Sequence, residues 1–211
     1  MNIQPFPKLT HLGDLVNIIQ HYCTIADYIY TDDLQAREMI EFLLSLLDVK
    51  LKSCQTKPNQ IEFVAPTWTF SQPNEFGTMF WHPRSYKKST NLPQKQDSHI
   101  VCQFDARANV QTITEEDIFN ICKTIGVIHN IGDRKFEFTI NHNQCSLNEK
   151  YQLLNSAHAY IGIDSGLSHL ALMSNTPTYI LYKKNNPWFF YPDEAITIEC
   201  ENFFKIIEKI L

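Results

Sequence analysis

The residues of this chain best suited to chemistry lie between 159 and 171, in the run Ala-Tyr-Ile-Gly-Ile-Asp-Ser-Gly-Leu-Ser-His-Leu-Ala. A short apolar run of buried-strand type leads straight into Asp164-Ser165-Gly166 and then into helical spacing. Three small or capping residues therefore fall at the carboxyl end of a strand, where open α/β sheets bind ligands. Such a turn suits a phosphate. Amides at the helix N-terminus supply donors and partial positive charge, Gly166 permits close approach, and Ser165 and Ser168 add hydroxyls. His169, four residues after Ser165, projects near the same mouth, where it can donate to a phosphate or orient Asp164. The same spacing also fits a plain helix cap, with Asp164 or Ser165 at the N-terminus and His169 as a hydrogen-bonded edge residue.

Other chemistry is thinly represented. Asp32-Asp33 has the look of an Asp-x-Asp metal turn but follows no buried strand, and it reads better as the cap of a helix starting near Leu34. The eight histidines show no H-E-x-x-H or paired ligand spacing, so no metal site and no cofactor is expected. No G-x-x-x-x-G-K-[ST] or G-x-S-x-G occurs, which argues against P-loop and α/β-hydrolase chemistry. An aromatic stretch from Trp68 to Trp81 either stacks on sugar rings or fills a small core.

The elements that must position these residues follow from periodicity. Leu15, Val16, Ile19, Tyr22, Cys23 and Ala26 mark one helix, and Leu34, Met39, Ile40, Leu43, Leu44 and Leu47 a second. Pro5 and Pro7 allow at most a frayed edge strand before them. Residues 51–60 read as a loop and Ile61 to Ala65 as the one convincing strand of this half. The polar run Ser85 to Ser98 reads as a linker. Beyond it Ile100 to Phe104 is a strand, and Thr114 with Asp117 forms a capping box that opens a helix. Phe136 to Ile140 is a further strand, and Ser146 with Glu149 a second capping box. Strands over Tyr160 to Ile163, Thr178 to Tyr182 and Ala195 to Ile198 follow, with a helix over Ser165 to Met173 and an amphipathic closing helix from Phe203. Alternation of strand and helix implies parallel pairing, so residues 98–211 read as a doubly wound α/β unit.

Composition agrees. The chain has 211 residues, 44% of them apolar, and a net charge of -5, which excludes disorder and removes the basic face a general nucleic-acid binder needs. No apolar run approaches the ~18 residues that span a bilayer, and the first residues lack the pattern of a signal peptide. A cytoplasmic protein with no nucleic-acid partner and no transmembrane segment is expected, possibly peripheral to an inner membrane. The six cysteines contain no C-x-x-C pair and read as reduced core residues.

The stretch from Leu153 to Tyr182, including Asn155 to Ala171 and Asn175-Thr176-Pro177-Thr178, resembles the signature of the ADP-heptose:lipopolysaccharide heptosyltransferase family. The resemblance implies a GT-B-like fold: a C-terminal Rossmann-like doubly wound parallel sheet over residues 96–211 that binds the donor, and a reduced N-terminal α/β domain over residues 1–95 on the acceptor side. It assigns the donor diphosphate to Asp164, Ser165, Gly166 and His169, beside which the Ser168 hydroxyl completes the expected donor site. Thr10-His11-Leu12-Gly13-Asp14 resembles the family's Gly-Asp turn, which makes Asp14 the candidate base for the acceptor hydroxyl; Asp14 also reads as a cap of the first helix. After the strand at 100–104, Arg107 is the cation available to the leaving diphosphate, in a register that departs from the family's, with a surface arginine or an Asp105 partner as the other readings. The implied activity is metal-independent transfer of a sugar, possibly heptose, from a nucleotide-diphosphate donor to a saccharide or glycolipid acceptor in lipopolysaccharide or surface-polysaccharide assembly. Two domains of ordinary length need ~300 residues. The alternative is therefore a noncatalytic nucleotide-sugar or glycan-binding module, as a homo-oligomer or with a partner subunit.

Overall fold

A computed structural model describes residues 1–5, 11–66, 78–80, 84–90, 99–105, 113–182 and 191–203. The chain divides into two compact units, Met1–Asn91 and Leu92–Leu211.

The first unit is a five-stranded parallel sheet in the order β3-β2-β1-β4-β5, built from β1 (Asn2–Pro5), β2 (Tyr28–Tyr30), β3 (Lys52–Cys54), β4 (Glu62–Pro66) and β5 (Thr78–Phe80). Helices α1 (Leu12–Tyr22) and α2 (Leu34–Ser45) are the two expected from periodicity. Asp33 caps α2, accepting from the Ala36 amide at 2.9 Å, so the Asp32-Asp33 pair serves the helix as expected. Ile3, Leu15, Ile18, Ile19, Ile29, Ile40, Leu43 and Val64 are buried together as its core, and each such aliphatic side chain contributes about 1.5–3 kcal/mol by leaving water.

Three expectations for this unit are corrected. The proline-bearing first strand is no frayed edge but the middle of the sheet. β1 meets β2 only through Asn2 and Ile3, whereas Pro5 lies opposite Val64 of β4 alone. The missing N–H therefore falls at the strand's last residue, past the end of the ladder with β2. The 51–60 loop contains β3, and the unit holds five strands rather than one, because three- and four-residue strands carry too few residues to show a period. Finally, the first part of the Ser85–Ser98 segment is docked rather than free. Tyr86 is buried and donates to Asn17 Oδ1 at 2.6 Å; Gln20 exchanges bonds of 2.7 and 3.0 Å with the Lys87 backbone. Residues 91–98 lie outside the described residues, as does most of the Trp68–Trp81 aromatic stretch.

The second unit is a six-stranded parallel sheet in the order β11-β10-β9-β6-β7-β8, from β6 (Ile100–Gln103), β7 (Ile128–Asn130), β8 (Ile140–Asn141), β9 (Ala159–Ile163), β10 (Thr178–Tyr182) and β11 (Ile196–Glu199). Read from β8, this is a doubly wound sheet with its switch of direction between β6 and β9. Helices α3 (Glu115–Ile125), α4 (Leu147–Ser156) and α5 (Gly166–Met173) connect the strands. Both expected capping boxes are formed: Thr114 with Asp117 opens α3, and Ser146 with Glu149 opens α4. Gly126 ends α3 at φ 95°, a left-handed conformation suited to glycine.

The expected strand over Phe136–Ile140 is mostly a turn, and only Ile140 pairs. The Asn141 amide closes that turn, donating to the Phe136 carbonyl at 2.8 Å and accepting from the Phe136 amide at 3.1 Å. Phe136 is buried, so its apolar character answers to core packing and not to a ladder. β7, unread in the sequence, takes the expected strand's place in the sheet. Cys23, Cys102 and Cys122 lie in the cores, while Cys54, Cys145 and Cys200 are half-buried. After β11 a short 3-10 helix covers Cys200–Asn202; the expected closing helix beyond Phe203 lies outside the described residues. Among the described residues no helix is long and apolar enough to cross a membrane.

Candidate functional site

The chemistry-bearing residues of the second unit gather at the carboxyl end of β9, beside the switch point of the sheet. β9 is buried along its whole length, and the chain then emerges: Asp164, Ser165, Gly166 and Leu167 are half-buried before α5 turns inward at Ser168. Ser165 is the N-cap, with its Oγ accepting from the Ser168 amide at 3.2 Å. The Ser165 amide donates to the Tyr191 hydroxyl at 3.1 Å. The Gly166 and Leu167 amides have no acceptor among the described residues. Two donors at the positive end of a helix are thus presented at the open part of the turn.

The other predicted residues surround these amides in different ways. Ser168 is fully buried, and its hydroxyl donates to the Ile163 carbonyl at 2.6 Å, which fixes the end of β9 against the start of α5. His169 is 7% exposed and lies flat on the Tyr191 ring, 4.6 Å between centroids at 20°. That tyrosine links it to Asp164, since the Tyr191 hydroxyl donates to Asp164 Oδ1 at 2.6 Å. Burial pushes the Asp164 carboxyl up, opposed by the tyrosine's hydrogen bond; burial and the adjacent Asp164 charge hold the Tyr191 hydroxyl well above its usual range.

Three residues essential to this arrangement were not singled out in the sequence. Gln103 ends β6, directly across the switch point, and its Oε1 accepts from both Ser165 Oγ and the Tyr160 hydroxyl, the latter at 3.2 Å. Tyr160 also meets Ser168 Oγ at 3.0 Å. A glutamine within the otherwise apolar Ile100–Gln103 strand was a readable signal, because a buried amide needs partners. Tyr160 and Gly162 formed another, since side chains two apart on a strand share a face and the glycine leaves room for the ring. Tyr191 gave none: it is 26 residues from Ser165 with no periodic relation to it.

The loops after β6 and β7 are joined by a carboxylate. Asp105 Oδ2 accepts from the amides of Asp133 at 3.0 Å and Arg134 at 3.2 Å, and Gly132 lies so close that a Cβ would come 3.0 Å from Asp105 Cγ. Arg107 lies outside the described residues.

In the first unit, Asp14 occupies the first turn of α1, just past the carboxyl end of β1 and the equivalent switch point between β1 and β4. Burial raises its pKa to about 6, with the charge of His11 pulling the other way. His11 is the N-cap residue, though its side chain makes no capping bond. The adjoining Gly13 carbonyl accepts from Asn17 Nδ2 at 3.0 Å, and Tyr86 holds that asparagine from outside the helix. A half-buried carboxyl that titrates near neutrality can accept a proton at working pH. Among the described residues no group of three or more His, Cys, Asp and Glu side chains could hold a metal ion.

Residues 131–202 match the model of Glycosyltransferase family 9 (heptosyltransferase). That stretch contains the whole segment from Leu153 to Tyr182 on which the sequence resemblance rested, and the resemblance is borne out. Among solved structures, the bacterial iron-containing dodecameric glycosyltransferase TibC from enterotoxigenic E. coli H10407 matches at 14% identity and a TM-score of 0.60, over 92% of this chain and 61% of its own. The dodecameric iron-containing heptosyltransferase TibC in complex with ADP-D-beta-D-heptose matches at 16% identity and a TM-score of 0.63, over the same shares. A family 9 glycosyl transferase from Veillonella parvula DSM 2008 matches at 13% and 0.59, over 99% of this chain and 88% of that one. The chain spans about three fifths of the length of the TibC structures. No curated protein matches its sequence. The fold class is that of these transferases, α/β and GT-B-like, with two parallel Rossmann-like sheets in one chain, and the second unit is heptosyltransferase-like.

Proposed function

We propose that this chain is a glycosyltransferase that moves a sugar, possibly a heptose, from a nucleotide-diphosphate donor to a saccharide or glycolipid acceptor in lipopolysaccharide or surface-polysaccharide assembly. The observation that carries the proposal is the turn at 164–167. Two amides with no acceptor among the described residues lie at a helix N-terminus beside the switch point of a doubly wound sheet, within the segment that matches the heptosyltransferase family model. In this reading residues 96–211 bind the donor and residues 1–95 form the acceptor side.

The roles follow from the chemistry of each group. The Gly166 and Leu167 amides receive the donor diphosphate, Ser165 borders it, Asp164 and His169 shape the mouth, and Ser168 holds the turn from inside. The acceptor hydroxyl attacks the anomeric carbon, the bond from that carbon to the diphosphate oxygen breaks, and the nucleoside diphosphate leaves with the bonding pair. Asp14 takes the proton, and Arg107 offsets charge on the departing diphosphate. Fixed amides and a guanidinium supply the neutralisation that a metal provides elsewhere, so transfer is expected to proceed without one. A protein working on such donors and acceptors belongs in the cytoplasm, at the inner face of the membrane where glycolipid acceptors are presented.

A thermal-shift screen against ADP, GDP, UDP and CDP tests the donor site, because a ligand bound only by the folded state raises the melting midpoint by mass action. A selective shift that is lost in Gly166→Val supports the reading. No shift with any of the four sinks it in favour of a module without this donor, and transfer that survives Asp14→Asn would remove Asp14 as the base.

A further inference from the structure

Tyr191 sits where a ligand-binding turn would be expected to stay open. It belongs to the chain returning from β10 to β11, is buried, and spends both hydrogen-bonding capacities of its hydroxyl on the turn: it donates to Asp164 Oδ1 at 2.6 Å and accepts from the Ser165 amide at 3.1 Å. Its ring is stacked on His169, so its position is fixed from α5 as well.

The consequence concerns Asp164. An aspartate side chain reaches the backbone N–H groups two and three residues further on, the geometry of Asx turns and helix caps. For Asp164 those groups are the amides of Gly166 and Leu167, the two without an acceptor. A carboxylate placed there would be favoured by the helix field and would fill the cradle with the chain's own negative charge. The phenol instead takes Asp164 Oδ1 as its own acceptor.

We infer that Tyr191 is a positioning residue that restrains the Asp164 carboxylate from capping Gly166 and Leu167, and so keeps the anion site open for the donor diphosphate. The inference rests on the reading of this turn as the donor site.

The test is calorimetric titration of the full chain and of Tyr191→Phe with ADP and with inorganic pyrophosphate at pH 8. Phenylalanine keeps the ring on His169, and circular dichroism with urea unfolding verifies the fold; Tyr191→Leu is a second substitution without the hydroxyl. A helix-capping carboxylate occupies the same amides as the ligand, so Tyr191→Phe should bind both ligands about tenfold more weakly. With Asp164→Ala already present, which leaves no side chain to cap the amides, removing the hydroxyl should cost under about threefold. Unchanged affinity in Tyr191→Phe overturns the inference, as does a loss that persists in the Asp164→Ala background. Failure of both ligands to bind the unaltered protein overturns the donor-site reading beneath it.

Discussion

At Gly162 a single carbon should decide whether the turn keeps its shape. Gly162 pairs with Gln103 on one side and Ile180 on the other, and its missing side chain faces the ring of Tyr160. A Cβ there would sit 2.6 Å from Cζ and 2.8 Å from Cε1 of that ring, well inside the ~3.5–4.0 Å of favourable carbon contact. The ring is fully enclosed, and its hydroxyl is tied to Ser168 and Gln103 at 3.0 and 3.2 Å. It must shift by about 1 Å to admit a methyl group, at the ~1–3 kcal/mol typical of overpacking. That shift breaks or bends two buried hydrogen bonds worth about 1 kcal/mol each. Against this stands a gain of about 0.5–1 kcal/mol from replacing glycine in a strand. Gly162→Ala should therefore destabilise the chain by about 2–4 kcal/mol, read as a lower urea midpoint. In a Tyr160→Ala background, where the ring is gone, the same substitution should cost less than about 0.5 kcal/mol. An equal cost in both backgrounds would refute the argument that this glycine exists to seat Tyr160. Because Tyr160 reaches Ser165 through Gln103, nucleotide affinity should fall in Gly162→Ala as well, even at temperatures where the protein is folded.

Asp14→Asn should separate activity from stability. On the proposed transferase reading, transfer should fall by about 10²–10⁴, and the unaltered protein should lose kcat/KM about tenfold per pH unit below about 6. A carboxyl raised by burial contributes stability below its unfolded pKa of 3.8 that is lost as the pH rises through about 6. The amide should therefore be about 1–3 kcal/mol more stable than the carboxylate at pH 8, with the difference vanishing below pH 4 in urea titrations. His129 Nδ1 and His142 Nε2 share one proton across 2.9 Å, and burial and the His99 charge lower His142 from its usual 6.5. Stability from this pair is present above pH 6.5 and lost as the pH falls, so His142→Gln should flatten the acid side of a melting-temperature profile. Thr114→Ala removes the side-chain half of a capping box, the Oγ1 that accepts from the Asp117 amide at 3.1 Å, and should cost about 1 kcal/mol of unfolding free energy. Transfer should survive EDTA, and its abolition with recovery on adding a divalent ion would displace the amide-and-guanidinium account of charge neutralisation.

The difference between what was legible in the sequence and what was not has a physical pattern. Helices α1 to α4 were readable because apolar residues recur at helical spacing over ten or so residues, α5 was readable from the Asp-Ser-Gly turn that opens it, and the caps at Asp33, Thr114 and Ser146 are contacts between residues three apart. The short strands were not. β1, β2 and β3 have three or four residues each, too few for alternation to show, and their place is settled by partners 20 to 60 positions away. Phe136 failed in the opposite sense: an apolar alternation with Phe138 looked like a strand, but the two rings stack on each other at 5.8 Å beside a turn closed by Asn141.

The same distinction explains why one site could be read and its supports could not. The proposed donor site is made of contiguous backbone amides, so Asp164, Ser165 and Gly166 appear in the sequence as one word. The groups that keep those amides available come from elsewhere: Gln103 from the end of β6, and Tyr191 from the chain between β10 and β11. Neither touches the first free amide, yet each consumes a competing hydrogen bond. Gln103 takes the Ser165 hydroxyl, and Tyr191 takes both the Ser165 amide and the Asp164 carboxylate. Had the Asp164 carboxylate been left unpaired, the amides of Gly166 and Leu167 would be donors within its reach. An anion site made from a helix N-terminus thus depends on what is kept away from it as much as on what it contains, and that exclusion is a property of the folded sheet rather than of any local motif.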